Sequence, residues 1–202
     1  MSEVLISLDP SFTRTGICII DLRNKTISFD IVSCKIGEKQ FENVVHAAKS
    51  IVNQLSNIFS KYTDYTLIHE SPLPMSSMSS ALYSLDTLIY YTFEDHIKRT
   101  YNPATLRSRI HGHKYDKNDS RNLADRYIEV LNKKGYHIIS EMGTKKKLCH
   151  DSAEAFLYAH LYLYDSKHPD FQFNNDDEIK KYKERMKELK KREKLLMSGK
   201  EE

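Results

Sequence analysis

Four acidic side chains in this 202-residue chain stand where a carboxylate has chemistry open to it. Asp9 closes the apolar run Val4 to Leu8, and Glu70 closes the run Thr66 to His69. Asp151 and Glu154 open a stretch rich in Ala, Leu and Tyr. Their spacing of three puts both on one face of a helix, a turn apart. If the strands ending in Asp9 and Glu70 are neighbours and that helix crosses them, four carboxylates converge on one point. Such carboxylates repel one another unless something positive lies between them, and hard oxygen donors of that charge suit Mg²⁺ or Mn²⁺ rather than zinc. Two such ions about 4 Å apart activate a water and stabilise the leaving oxygen of a phosphodiester, with no further general base needed. Each member also has a plainer use. Asp9 before Pro10 suits a turn, and Asp151-Ser-Ala-Glu154 has the form of a helix-capping box. Glu70, between a strand and Ser71-Pro72, has no obvious structural task.

The elements that must position these residues follow from periodicity. Val4 to Leu8, Ile17 to Ile20 and Ile27 to Val32 are separated by turn formers at Asp9 to Gly16 and Leu22 to Lys25. They predict an antiparallel three-stranded meander. Apolar residues from Phe41 through Val45, Ala48, Ile51, Val52 and Leu55 to Phe59 repeat every 3.6 residues and predict a helix over 41–62. Tyr65 to His69 predicts a fourth strand, which Pro72 and Pro74 stop. A second helix is expected over 81–98, a brief strand at Thr100–Tyr101, and a basic loop over 107–119. A third helix is expected from Asp119 or Ser120 to Lys134, ended by Gly135, and a last one from His150 to Tyr164. This order describes an α/β fold with a mixed sheet flanked by helices. Residues 1–166 are expected to form the domain, and the charged, Lys-rich residues 167–202 a solvated helix or tail.

Hydrophobic residues at 40% and charged residues at 29% allow a packed core under a very polar surface. The absence of any run of about 18 apolar residues argues against a membrane helix. The acidic residue before the first apolar run is wrong for a secretory signal. Cys18, Cys34 and Cys149 are scattered and odd in number, which argues against a disulfide framework and for a reducing cytoplasm. The net charge of +3 conceals an asymmetry. Residues 98–147 carry 13 basic and 5 acidic side chains, whereas residues 1–97 carry 7 and 11. A positive field so concentrated points to a polyanion partner.

The same residues carry a resemblance. Ile6-Ser-Leu-Asp-Pro-Ser-Phe-Thr-Arg-Thr-Gly16 resembles the first motif of the RuvC family of Holliday junction resolvases, Asp-Pro-Gly-x-x-x-Thr-Gly. Leu67-Ile-His-Glu70 is similar to that family's second motif. His150-Asp-Ser-Ala-Glu-Ala-Phe-Leu-Tyr-Ala159 resembles its last, a helix with two ligands three residues apart. The resemblance spans about residues 4–164 and implies an RNase H-like fold, whose opening meander agrees with the periodicity. It further implies Asp9, Glu70, Asp151 and Glu154 as catalytic ligands of two Mg²⁺ or Mn²⁺ ions. Arg107 and Lys117 fall near the family's basic positions, and with Arg109 and Lys114 would face DNA phosphates. A homodimer is implied, because cutting two strands symmetrically needs two sites related by a two-fold axis.

Three departures from the family pattern stand out. Ser11 replaces the usual Gly, and Glu154 the more usual Asp. Leu73, with Met75 and Met78 beside it, stands where the family often places an aromatic that stacks at the junction crossover. These side chains could supply an apolar wedge, but stacking is lost, which bears on junction selectivity. His69 and His150 flank ligands and are expected to support them or lie at the surface. The function expected is that of a structure-specific endonuclease of branched DNA, leaving a 5′-phosphate and a 3′-hydroxyl, in the cytoplasm (the host's, for a phage-encoded member). One rival is an actin-like-fold kinase or ATPase, which opens with the same strand, Asp and turn. It needs further glycine-rich phosphate loops, and the chain has only 6 glycines. The other is a DNA-binding or packaging module that kept the fold and lost the chemistry.

Overall fold

Alternation of side chains along the strands decides the layering. In β1 (Val4–Asp9) and β2 (Thr15–Asp21), Ile6, Leu8, Ile17 and Ile19 go to one hydrophobic cluster, whereas Leu5, Cys18 and Ile20 go to another. Strands buried on both faces read as near-continuous apolar runs, as these do with buried Ser7 interrupting β1. The computed structural model describes residues 2–34, 40–72, 79–111, 117–139 and 148–177, with 180, 184, 187 and 188 besides. The side chains of 40–43, 79–81, 107 and 117 fall outside that description.

Six strands form one sheet in the order β5-β4-β1-β2-β3-β6. β1, β2 and β3 (Thr26–Val32) are the expected antiparallel meander. β4 (Thr66–Glu70) lies parallel to β1, β5 (Ile97–Tyr101) parallel to β4, and β6 (His137–Ile138) parallel to β3. The helices α1 (Gln40–Phe59) and α2 (Ser79–Phe93) cover one face of this sheet. The other face is covered by α4 (Lys117–Lys133) and α5 (His150–Asp165). A short α3 (Pro103–Leu106) and a π-helical turn, Arg107–His111, join β5 to that second layer. Ala48, Ile51, Leu55 and Phe59 of α1 are fully or almost fully buried, the three larger side chains each contributing about 1.5–3 kcal/mol over exposure.

The mixed α/β architecture follows the expectation, and several boundaries do not. The basic loop expected over 107–119 is, where described, a π-helical turn and the first turn of α4. α2 ends at Phe93 rather than near Lys98, because a tight turn through His96 frees Ile97 to pair with β4. Val45 belongs to the apolar stripe by spacing yet is 46% exposed. β6 was not anticipated; it is held by the His137 and Ile139 amides donating to Lys25 and Ile27. Beyond residue 166, Phe171 is fully buried in the α5 cluster, and His160 Nε2 donates to the Phe173 carbonyl at 2.9 Å. The described residues 180, 184, 187 and 188 are exposed. Among the described residues, no helix is long and apolar enough to cross a membrane.

Candidate active site

The two-residue period of β1 sends Leu5, Ser7 and Asp9 toward α5, and that of β4 sends Ile68 and Glu70 the same way. The parallel pair runs in register to Leu8 opposite His69, so the next step sets Asp9 beside Glu70. The turn that follows Asp9 is closed by Thr15, not by Asp9. The buried Thr15 hydroxyl donates to the Ser11 carbonyl at 2.8 Å and accepts the Ser11 amide at 3.1 Å. Ser11 is not in the left-handed region, so the family's glycine is not needed here for its backbone freedom.

Gly16, opposite Asp9 in β2, has a different duty. A Cβ at that position would lie 2.2 Å from the carbonyl carbon of Asp151. The first turn of α5 therefore rests directly on the β2 backbone, which brings its carboxylates over the strand ends. The α5 N-cap is Cys149, whose Sγ accepts the Ser152 amide at 3.3 Å. That settles the capping-box alternative against Asp151 and Glu154, since neither caps the helix.

Asp9, Glu70 and Glu154 each bring a carboxylate oxygen within 4.8 Å of the other two. Asp151 does not complete that set. Its Oδ2 instead faces Arg14 Nε at 3.3 Å, while its charge still reaches Asp9. Three of the four expected ligands thus meet, and the fourth lies beside them. Burial, and then the charges of Glu70, Glu154 and Asp151, hold the Asp9 carboxyl well above the usual range. Burial pushes Glu70 up to about 7, with Glu154 adding to the shift and a hydrogen bond from Tyr158 opposing it.

Hydroxyls steady the two outer carboxylates. Tyr158 donates to Glu70 Oε2 in a short hydrogen bond, and Ser120 donates to Glu154 Oε1 at 3.0 Å. Buried His111 backs Ser120, with Nε2 3.4 Å from its Oγ, and His150 Nε2 lies 3.6 Å from Glu154 Oε2. The donor set is all carboxylate and carries more negative charge than it can hold without protons or a cation. It fits a hard divalent ion.

Other expected residues lie elsewhere. Arg109 forks onto Asp165, with Nη1 2.8 Å from Oδ2 and Nη2 on Oδ1. Asp165 is eleven residues beyond Glu154 on α5, about 16 Å along the axis. His69 points to the opposite face of the sheet and meets Asp86 of α2 at 3.3 Å. Leu73, Met75 and Lys114, and the side chains of Arg107 and Lys117, lie outside the described residues. Arg14, Ser120 and Tyr158 are site residues that the sequence did not single out. Only Tyr158 carried a signal, four residues after Glu154 and so on the same helical face.

No protein-family model matches the chain, and no curated protein matches it. Solved structures do. RuvC of T. thermophilus in complex with a Holliday junction substrate is similar with a TM-score of 0.51 and 13% identity, over 83% of this chain and 97% of that one. A second Thermus thermophilus RuvC structure gives a TM-score of 0.48 at 14% identity, over 82% and 97%. The Fowlpox virus resolvase, in complex with its substrate Holliday junction DNA, gives 0.43 at 17% identity, over 80% and 97%. The first of these likenesses establishes the fold, and the chain has the RNase H-like architecture of RuvC.

Proposed function

We propose that this chain is a divalent-metal-dependent endonuclease that cuts Holliday junctions or other branched DNA. The observation that carries the reading is the meeting of Asp9, Glu70 and Glu154 within 4.8 Å, at strand ends and over a helix start. The structural likeness to a resolvase solved on junction DNA supports the substrate class. Asp9, Glu70 and Glu154 would hold one cation, and Asp151 would complete a site for two, Mg²⁺ or Mn²⁺. When bound, such ions polarise a phosphodiester and lower the pKa of an attacking water.

The chain's own residues do the positioning. Tyr158 fixes Glu70 Oε2 and Ser120 fixes Glu154 Oε1, while His150 faces Glu154 Oε2 at 3.6 Å, so both carboxylates are held in place before any ion binds. The proton that Glu70 keeps up to about pH 7 must leave before a cation binds, so cation affinity rises as pH climbs through about 7. Phosphate contacts are assigned first to Arg107, Lys114 and Lys117, because the Arg109 guanidinium is engaged by Asp165. Leu73 and Met75, just after Glu70, would form an apolar wedge at the junction. A second copy would bring a second site, and Tyr83, Tyr90 and Tyr91 of α2, 38%, 50% and 72% exposed, offer apolar area for it to cover.

The test compares four-way, forked and linear duplex DNA with Mg²⁺ on a gel. Nicking of branched but not linear DNA, leaving 5′-phosphate ends and lost in Asp9→Asn with junction binding retained, is the expected result. Junction binding without Mg²⁺-dependent cleavage would favour the rival DNA-binding module instead.

A further inference from the structure

We propose that Arg14 is a displaceable counter-ion for Asp151, reserving the second cation position until a DNA phosphate draws the guanidinium away. The inference rests on the metal-nuclease reading above and adds a coupling between substrate and cation that the carboxylates alone do not have.

Four observations carry it. Arg14 sits five residues after Asp9, in a turn pinned by the Thr15–Ser11 hydrogen bonds and by buried Phe12. Its backbone is therefore fixed beside the carboxylates, while its side chain stays 51% exposed. Secondly, it meets Asp151 with Nε 3.3 Å from Oδ2, and such a half-exposed pair is held weakly. Thirdly, Asp151 shares a helical face with Glu154 and its charge reaches Asp9, yet it is left out of the cluster of three. Its Oδ2 faces Arg14 instead. Finally, Asp151 is fixed at the backbone by its contact with Gly16, so the side chains and not the helix decide which cation it faces.

A guanidinium and a divalent ion compete for the same carboxylate. A phosphodiester competes with Asp151 for the guanidinium, whose planar fork matches phosphate well. DNA and the second cation then favour each other's binding, and by linkage the effect is reciprocal.

Titration of the full-length chain with Mn²⁺, counting bound ions from the loss of the free-ion spin-resonance signal, tests this without any cleavage. The wild type takes one Mn²⁺ tightly and a second weakly. Arg14→Gln tightens the second by about five- to tenfold, leaves the first nearly unchanged, and has no effect in an Asp151→Asn background. Arg14→Lys keeps the charge and stays close to the wild type. A saturating four-way junction with non-hydrolysable scissile linkages tightens the second Mn²⁺ in the wild type and not in Arg14→Gln. Thermal melts confirm that each variant is folded.

An unchanged or weaker second Mn²⁺ in Arg14→Gln overturns the proposal. So does tightening that persists with Asp151→Asn or applies equally to both ions, which would mark a general charge effect. Binding of Mn²⁺ that depends on Asp9 but not on Arg14 removes the Arg14 role alone. No Mn²⁺ binding at all removes the metal reading with it.

Discussion

The two ends of α5 solve opposite electrostatic problems with the same residue types. At the C-terminal end, Asp165 is gripped by the fork of Arg109 and by Arg99 Nη1 at 3.1 Å. Tyr101, with Arg99 over its ring, stacks on Tyr158 from the same helix. That end is complete: an anion matched by two guanidiniums. At the N-terminal end three carboxylates crowd together, and half-exposed Arg14 faces Asp151 beside them at 3.3 Å. Paired charges hold elements in place. Carboxyls that a fold buries close together are shifted upward, and such perturbed carboxyls mark a candidate functional site.

That contrast can be broken most severely at Asp9. Asp9→Asn removes the central carboxylate, and cleavage of branched DNA should fall on the order of 10³-fold, the loss of several kcal/mol of transition-state stabilisation. The metal-free protein should melt no lower than the wild type, because one member of a repulsive cluster is gone. A melting point several degrees lower would mean that Asp9 serves the fold.

Gly16→Ala strikes the contact that sets α5 on the sheet. A methyl 2.2 Å from backbone cannot be accommodated without moving the helix start. Denaturant unfolding should show a loss of about 1–3 kcal/mol, and cleavage should drop about 10²-fold as the carboxylates are displaced. Wild-type activity in this variant would show that α5 does not need to lie so close.

Glu70→Gln sharpens the comparison through pH. In the folded protein burial pushes the Glu70 carboxyl up to about 7, against 4.5 for an ordinary glutamate. Between those values the native state holds a proton that the unfolded chain has lost. Its stabilising contribution is whole below about 4.5 and is lost as pH rises to about 7. Melts in a chelator should therefore show stability falling from pH 5 to pH 8 in the wild type. The fall should be about 1–3 kcal/mol smaller in Glu70→Gln. Added Mg²⁺ should stabilise the wild type more at pH 8 than at pH 5.

Asp165→Asn, at the finished end, should have the smallest effect. The guanidiniums of Arg99 and Arg109 are part-exposed and can turn to water, so the cost should be about 1 kcal/mol. Mn²⁺ affinity at the far end should not change, and a large loss of it would mean that the two ends are coupled.

What could be read in advance has a physical pattern. The meander, α1 and the strand-ending positions of Asp9 and Glu70 follow from periods of 2 and 3.6 over several residues each. The i, i+3 spacing placed Asp151 and Glu154 on one face, and the structure agrees. It could not say that Arg14, far away in sequence, meets one of them. The two-residue β6 and the π-helical turn at Arg107–His111 are too short to show a period. Ser120 had the look of a helix cap, but α4 begins at Lys117, and its hydroxyl reaches Glu154 instead. Cys149, a scattered thiol in the sequence, takes the capping role that Asp151 and Glu154 were equally suited to by type.

The most direct test of the central claim is a crystal grown or soaked with Mn²⁺ and measured for anomalous scattering. The account predicts a peak ligated jointly by Asp9, Glu70 and Glu154. A protein fully exchanged with Mn²⁺ that shows no peak there, or shows those three carboxylates turned apart, would contradict it.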